Sequence, residues 1–256
     1  WKAVKVAKNS ELKFGRRVDG FRSYLSIAGG IEVPTVMGSR STYLKTSIGG
    51  LNGKPLSTGD ILSATQQDGK FAELQLPSEY KSPVYGGRHT IRVILGPQQD
   101  RFDSDAIATL LSSRYSISEQ SDRMGYKLKG PRIRHNKTAD VISDGNPPGT
   151  IQVPGDGNPI ILLSDRGTTG GYAKIATVIS VDLGTLAQAV PGQSLKFECV
   201  TLKEAHNLLR IQKTALRAIS DLKSAPVGIK IEGRFIEVQN EKGDLLTSNI
   251  PDENEH

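Results

Sequence analysis

One cysteine, four histidines, 5% aromatic residues and no apolar run near membrane-spanning length leave several protein classes without material in this 256-residue chain. A lone Cys199 excludes an internal disulfide framework and fits a reducing compartment. It sits in Leu195-Lys-Phe-Glu-Cys-Val200, a strand-like pattern with no cationic or glycine-rich surroundings to activate a thiol, and reads as a small buried hydrophobe. His89, His135, His206 and His256 stand far apart, none beside a Cys or His at ligand spacing, so no metal held by protein histidines is expected. Apolar runs fall well short of the ~20 residues a spanning helix needs, and no secretory signal opens the chain, so a soluble, cytoplasmic protein is the expectation. The G-x-S-x-G elbow and the dinucleotide-binding glycine pattern are missing, which removes ordinary serine hydrolases and Rossmann enzymes. Gly49-Gly-Leu-Asn-Gly-Lys-Pro55 imitates a phosphate loop, but the spacing fails and Pro55 replaces the metal-binding hydroxyl. Asn52-Gly53 accounts for it as a tight turn.

What is present is a basic, turn-rich, β-branched chain. Lys and Arg exceed Asp and Glu by 33 to 27, giving +6 with a mean hydropathy of -0.33, and the excess is scattered. Its densest part, Lys127 to Lys137 with Arg132, Arg134 and His135, could draw an anion or nucleic acid. Without interleaved stacking aromatics a solvated loop is the favoured reading there, and no nucleic-acid partner is expected. Many short strands, few helices and frequent glycine turns indicate a mostly β protein. Alternating character suggests strands at Trp1–Val6, Glu11–Phe14 and Phe21–Ala28, then at Thr90–Leu95, Tyr115–Ser118 and Leu195–Val200. Asp103 is placed to cap a helix through Leu111, Leu183–Ala189 can form a short one, and Thr201–Ser220 carries a broad apolar stripe. A closing hairpin would set Gly228–Val238 against Leu245-Leu246, turning at Asn240–Gly243, before an acidic end from Asp252 expected to be disordered. A polar connector from Thr65 to Tyr85 divides the chain into 1–88, a barrel-forming 89–225 and a C-terminal 226–256.

The stretch Gly149–Leu183 organises the rest. Between the apolar runs Ile160–Leu163 and Ile175–Val181 lies Ser164-Asp-Arg-Gly-Thr-Thr-Gly-Gly-Tyr172, read as a loop held by two buried strands. Gly170 and Gly171 would let another molecule approach the main chain. Ser121-Asp122-Arg123 repeats Ser164-Asp165-Arg166, each followed by glycine and then tyrosine. Arg123 and Arg166 are the first candidates for anion recognition, with Asp122 and Asp165 as proton acceptors or as anchors. The competing reading makes them Asp-Arg ion pairs at strand ends. Tyr172 and Tyr126 either meet a substrate carbonyl or are core tyrosines. Thr168 and Thr169 either donate to an anion or bond their own backbone. Gln152 faces opposite Ile151 and Val153, which leaves open whether it points into a pocket. Gly38-Ser39-Arg40-Ser41-Thr42 repeats the hydroxyl and guanidinium content and borders the cleft, starts a capped helix, or does both.

Phe21-Arg-Ser-Tyr-Leu-Ser-Ile-Ala-Gly-Gly30, Gly38–Thr42, Ser121–Pro131, Gly149–Pro154 and Ser164–Ser180 resemble the KipA-like carboxyltransferase-domain family, and matching stretches reach Pro191-Gly192. The resemblance implies a cyclophilin-like β-barrel architecture in two subdomains with a few short helices, and a further N-terminal segment before Trp1. It implies ATP-dependent opening of the 5-oxoproline lactam to glutamate by a 5-oxoprolinase, in which this chain is the C-type subunit. Such a chain works in a heteromer with the KipI-like B-type subunit, and transiently with the A-type subunit, and is inactive alone. ATP with Mg would be shared with a partner, and biotin enters only if the carboxyltransferase of a urea carboxylase is meant. The other function in the family is antagonism of a histidine-kinase inhibitor by binding it.

Overall fold

The computed structural model describes residues 3–4, 6–65, 88–221, 229–232 and 235–238. The connector, the Asn240–Gly243 turn, Leu245-Leu246 and the acidic end lie outside them. Two compact units divide the chain: Lys2–Leu12 with Arg22–Leu74, and Trp1 and Lys13–Phe21 with Gln75–His256.

Among the described residues the strands expected at Glu11–Phe14 and Phe21–Ala28 are not found, and the one expected at Trp1–Val6 lies partly outside them. The described residues of the first unit pair only through isolated bridges at Ile31↔Ala64, Val36↔Ser39 and Tyr43↔Ile48. Val6 and Tyr24 stay 72% and 76% exposed, and alternation without a partner strand cannot close a ladder. Turn chemistry governs instead. Met37 and Gly38 both have positive φ, and Val36 and Ser39 exchange backbone bonds of 2.8 and 3.0 Å around them, so a two-residue turn replaces the helix considered there. Asn52 and Gly53 form the expected tight turn, with φ of 56° and 67°.

The second unit is a closed seven-stranded barrel, as the mainly β expectation has it. Its strands are β1 (Arg88–Leu95), β2 (Arg114–Ile117), β3 (Gly125–Lys129), β5 (Thr150–Gln152), β6 (Ile160–Leu162), β8 (Lys174–Val178) and β9 (Ser194–Cys199), in the order β1-β8-β5-β6-β3-β2-β9. The parallel pairing of β1 with β9 closes the ring, the other pairings being antiparallel. Alternate residues fill it: Ile91, Val93, Tyr115, Ile151, Ile161, Ile175 and Leu195 are fully buried. A separate ribbon pairs β4 (Asp140–Gly145) with β7 (Thr169–Tyr172).

Helix α1 (Ser104–Ser112) starts where Asp103 accepts from the Ala106 N–H at 2.7 Å, and it buries Ala106 and Leu110 against the core. Helix α2 (Leu183–Gln188) is short. Helix α3 (Leu202–Asp221) opens on a capping box, Thr201 Oγ1 accepting from the Glu204 N–H and Glu204 Oε2 from the Thr201 N–H. At the C-terminal end β10 (Ile229–Glu232) pairs with β11 (Phe235–Val238). The segment expected to be one strand therefore folds on itself across a two-residue connection. Cys199 is exposed, against expectation: it lies beyond the β9 residues that pair with β2, where the inward row of Leu195 and Phe197 has ended.

Tyr115 is fully buried, its hydroxyl has no partner among the described residues, and burial pushes its pKa up to about 12. An orphaned buried hydroxyl costs about 1–3 kcal/mol, so Tyr115→Phe is expected to raise stability in a denaturant titration. The sign with pH follows from the raised pKa: the unfolded tyrosine ionises from about pH 10 while the folded one does not. Stability falls as pH rises through that window to about 12, and Tyr115→Phe should flatten the fall.

Candidate functional site

The two Ser-Asp-Arg segments come together. The Leu163 N–H donates to Met124 O and the Asp165 N–H to Arg123 O, both at 2.9 Å, where β3 begins and β6 ends. Arg123 then grips Asp165 with both arms, Nε to Oδ2 and Nη2 to Oδ1, each at 2.9 Å. The pairing is crossed: the arginine of one tripeptide meets the carboxylate of the other. Asp122 Oδ1 instead accepts from the Met124 and Gly125 N–H groups at 2.8 and 3.2 Å, shaping the turn. Arg166 points back into the protein, Nε to Asn146 O at 2.6 Å and Nη1 to Leu163 O at 3.3 Å. Tyr126 is a core residue whose hydroxyl donates to Ala189 O at 3.0 Å.

The second half of the central stretch is a strand where the sequence reads as a loop. Thr169, Gly170 and Tyr172 pair with Gly145, Asp144 and Asp140, leaving only Ser164–Thr168 as connection. Glycines are poor strand formers, and the partner strand lies in a segment that reads as turns, so the sequence hides this ribbon. Thr168, Thr169 and Tyr172 are exposed on it, and Gly171 stands where a Cβ would meet Val141 O at 3.2 Å.

The ribbon encloses a polar seam against the barrel wall. Gln152 and Lys174 are cross-strand partners of β5 and β8 and share one face, both buried. Gln152 Nε2 donates to Asn146 Oδ1 at 3.2 Å, and Asn146 Nδ2 to Gly167 O at 3.3 Å. A Cβ on Gly170 would lie 2.6 Å from Asn146 Nδ2 and 2.9 Å from Gln152 Nε2, so the glycine makes room for these amides. Lys174 has a side chain only 2% exposed, yet among the described residues its ammonium reaches only Gln98 Oε1 at 3.4 Å and Asp144 Oδ2 at 3.5 Å. The Gln98 oxygen also accepts the Lys174 backbone N–H at 3.2 Å. The Gly145 N–H, and then Lys174, hold the Asp144 carboxyl below the usual carboxylate range. In the first unit Ser39 Oγ accepts from the Ser41 N–H at 3.1 Å and Arg40 Nη1 reaches Ile31 O at 3.4 Å.

Residues 1–199 match the family described as carboxyltransferase domain, subdomain A and B. The chain belongs to this family. Within the carboxyltransferase-domain family it is 42% identical over 202 residues to the C-type subunit of the Escherichia coli (strain K12) 5-oxoprolinase, covering 79% of this chain and 63% of that protein. To the C-type subunit of the Haemophilus influenzae 5-oxoprolinase it is 35% identical over 216 residues, 83% of this chain and 68% of that protein. The chain thus spans about two thirds of the length of these curated relatives. Among solved structures, the K. lactis urea amidolyase matches with a TM-score of 0.74 at 25% identity, over 89% of this chain and 14% of that one.

For a carboxyltransferase-type domain the seam offers what the two loops do not. Asp165 is occupied by Arg123 and Asp122 by its own turn, whereas a lysine ammonium has three N–H donors and Lys174 uses them on long contacts. A desolvated ammonium of this kind holds a carbonyl oxygen or oxyanion strongly. Gln152 is visible in the sequence as a polar residue in a buried strand. Lys174, Asn146, Asp144 and Gln98 escape the sequence reading, although a lysine between Ala173 and Ile175, inside an apolar strand, is a usable signal.

Proposed function

We propose that this chain acts in the cytoplasm as the C-type subunit of an ATP-dependent 5-oxoprolinase, converting 5-oxoproline, ATP and water to glutamate, ADP and phosphate together with the KipI-like B-type and the A-type subunits. The observation that carries this reading is its 42% identity to a 5-oxoprolinase chain of the same type, against 28–30% to fungal urea amidolyases. An unstrained lactam resists hydrolysis because its amide nitrogen leaves poorly and its carbonyl is a weak electrophile. Bound ATP supplies the phosphoryl group that activates the carbonyl oxygen. Among the described residues no group of three or more His, Cys, Asp or Glu side chains is arranged to hold the accompanying Mg.

The chain's own contribution is placement and charge. Lys174 binds the oxygen on which negative charge grows, with Asp144 and Gln98 fixing its ammonium. Gln152 and Asn146, packed against Gly170, supply the amide groups that orient the lactam's amide edge. The Arg123–Asp165 pair ties the two connecting loops, Arg166 anchors one of them through Asn146 O, and Thr168, Thr169, Gly171 and Tyr172 are the contact candidates on and beside the ribbon. Asp122, Ser39 and Arg40 stay secondary candidates for contact with substrate or phosphate.

The test is glutamate release from 5-oxoproline with the chain alone, with the KipI-like component added, and with all three components together. Turnover that requires all three is the expected result. Tight binding to the KipI-like component with no turnover under any combination would overturn it in favour of an antagonist of that partner.

A further inference from the structure

The basic stretch that reads in sequence as a solvated loop lines a cleft of about 680 Å³ on the barrel unit, walled by Arg132, Arg134, His135 and Lys137 on one side and by Asp156 and Gly157 on the other. Its backbone is fixed at several points. Ile133 is buried and its N–H donates to Gly157 O at 2.9 Å. Gly157 sits at a φ of 78°, where a Cβ would press on Ile133 O and Arg132 Cβ at 3.0 and 3.1 Å. His135 Nε2 donates to Val153 O at 2.9 Å, its ring lies 4.9 Å from that of Phe102, and the Asn136 N–H donates to Arg101 O at 3.0 Å.

On this frame the charges are poorly matched. Arg134 has no hydrogen-bond or ion-pair partner among the described residues. Arg132 has only the field of Asp156, whose carboxylate is engaged by Asn158 at 2.8 and 3.0 Å. Lys137 meets Asp100 at 3.4 Å as an exposed pair, of little energetic weight. Two uncommitted guanidinium forks thus face one occupied carboxylate, Asp156, with the loosely paired Lys137 ammonium beside them, and guanidinium forks suit phosphoryl oxygens held two at a time. A cleft of this size falls in the usual range for a small-molecule site.

From this we infer that the Arg132–Lys137 cleft binds a chain of two or three phosphoryl groups, free or carried by a nucleoside. Nucleic acid is the poorer fit because no Phe, Tyr or Trp stands among the residues that line the cleft, and Phe102, packed behind His135, is buried. This site is distinct from the Lys174 seam and does not rest on the proposed activity.

Isothermal titration of the full chain with inorganic triphosphate, with ATP and with single-stranded RNA, at low and physiological salt, tests it. Saturable, salt-sensitive binding of triphosphate is expected, weakened about tenfold or more by Arg134→Ala or Arg132→Ala. Lys203→Ala, an exposed lysine of α3, should leave it unchanged. Equal affinity for ATP and triphosphate supports a site for the phosphate chain alone, and tighter ATP supports a nucleotide site. No saturable binding, binding that ignores both arginine substitutions, or tighter RNA binding through the same arginines would each overturn the inference. Triphosphate binding by the chain alone and glutamate release by the three-component mixture are separate readouts, so the two readings fail separately.

Discussion

Lys174→Met is expected to lower turnover of the assembled 5-oxoprolinase by roughly a hundredfold to a thousandfold, the usual loss when one donor to a developing oxyanion is removed. The protein's melting temperature should hold or rise. Methionine keeps the length and apolar stem of lysine, so the face shared with Gln152 stays filled. What disappears is an ammonium with a 2% exposed side chain and two long contacts, a group whose burial costs stability because its partners repay little of the lost hydration. A group that burdens the fold and yet is held in place has its use in the chemistry. Steady-state kinetics of the three-component mixture, read beside a thermal melt, decides the matter. Undiminished kcat with a normal melt would remove Lys174 from the site and return attention to Arg123 and Asp165.

The barrel is legible where a strand or helix carries its own signal. Thr90–Leu95 shows the alternation that buries Ile91 and Val93, and Asp103 stands three residues before the amide it caps. Thr201 and Glu204 spell out the start of α3. The β4–β7 ribbon is not legible, because Asp144-Gly145 and Gly170-Gly171 are turn formers individually and strands only as a pair. The site follows the same division. Gln152 can be read directly, as a polar side chain in an apolar strand. The burial of Lys174 depends on the ribbon laid over it, so its meaning stays hidden with the ribbon. The twin Ser-Asp-Arg segments are visible as a repeat, but their crossed pairing, Arg123 to Asp165, exists only once β3 lies beside β6. At Phe21–Ala28 the mismatch runs the other way: an alternating pattern suggests a strand, although among the described residues no neighbour pairs with it.

Arg92→Met is expected to cost about 3 kcal/mol, which in a unit of this size lowers the melting temperature by about 10 °C. Asp182 is buried, and its carboxylate accepts the Arg92 backbone N–H at 2.7 Å, Nε at 3.0 Å and Nη2 at 2.5 Å. This clamp, with the Ile179 N–H on Arg92 O at 3.0 Å, ties β1 to the turn that leads from β8 into α2. Removing the guanidinium leaves a carboxylate away from water with only one backbone donor, and the low end of the usual cost applies because the Arg92 side chain is 31% exposed. The contrast with Lys174 is the point of the experiment. Both are cations against a carboxylate on the same unit, but one is bonded at short range through its fork and its backbone and the other at the limit of contact. The first should govern stability and the second turnover. Below its melting transition the Arg92→Met protein should therefore keep most of its activity in the assembled mixture, and adding Asp182→Leu should recover part of the lost stability, since no buried charge then remains. A melt unchanged by Arg92→Met, or activity lost well below the transition, would show that the two pairs do not divide the work in this way.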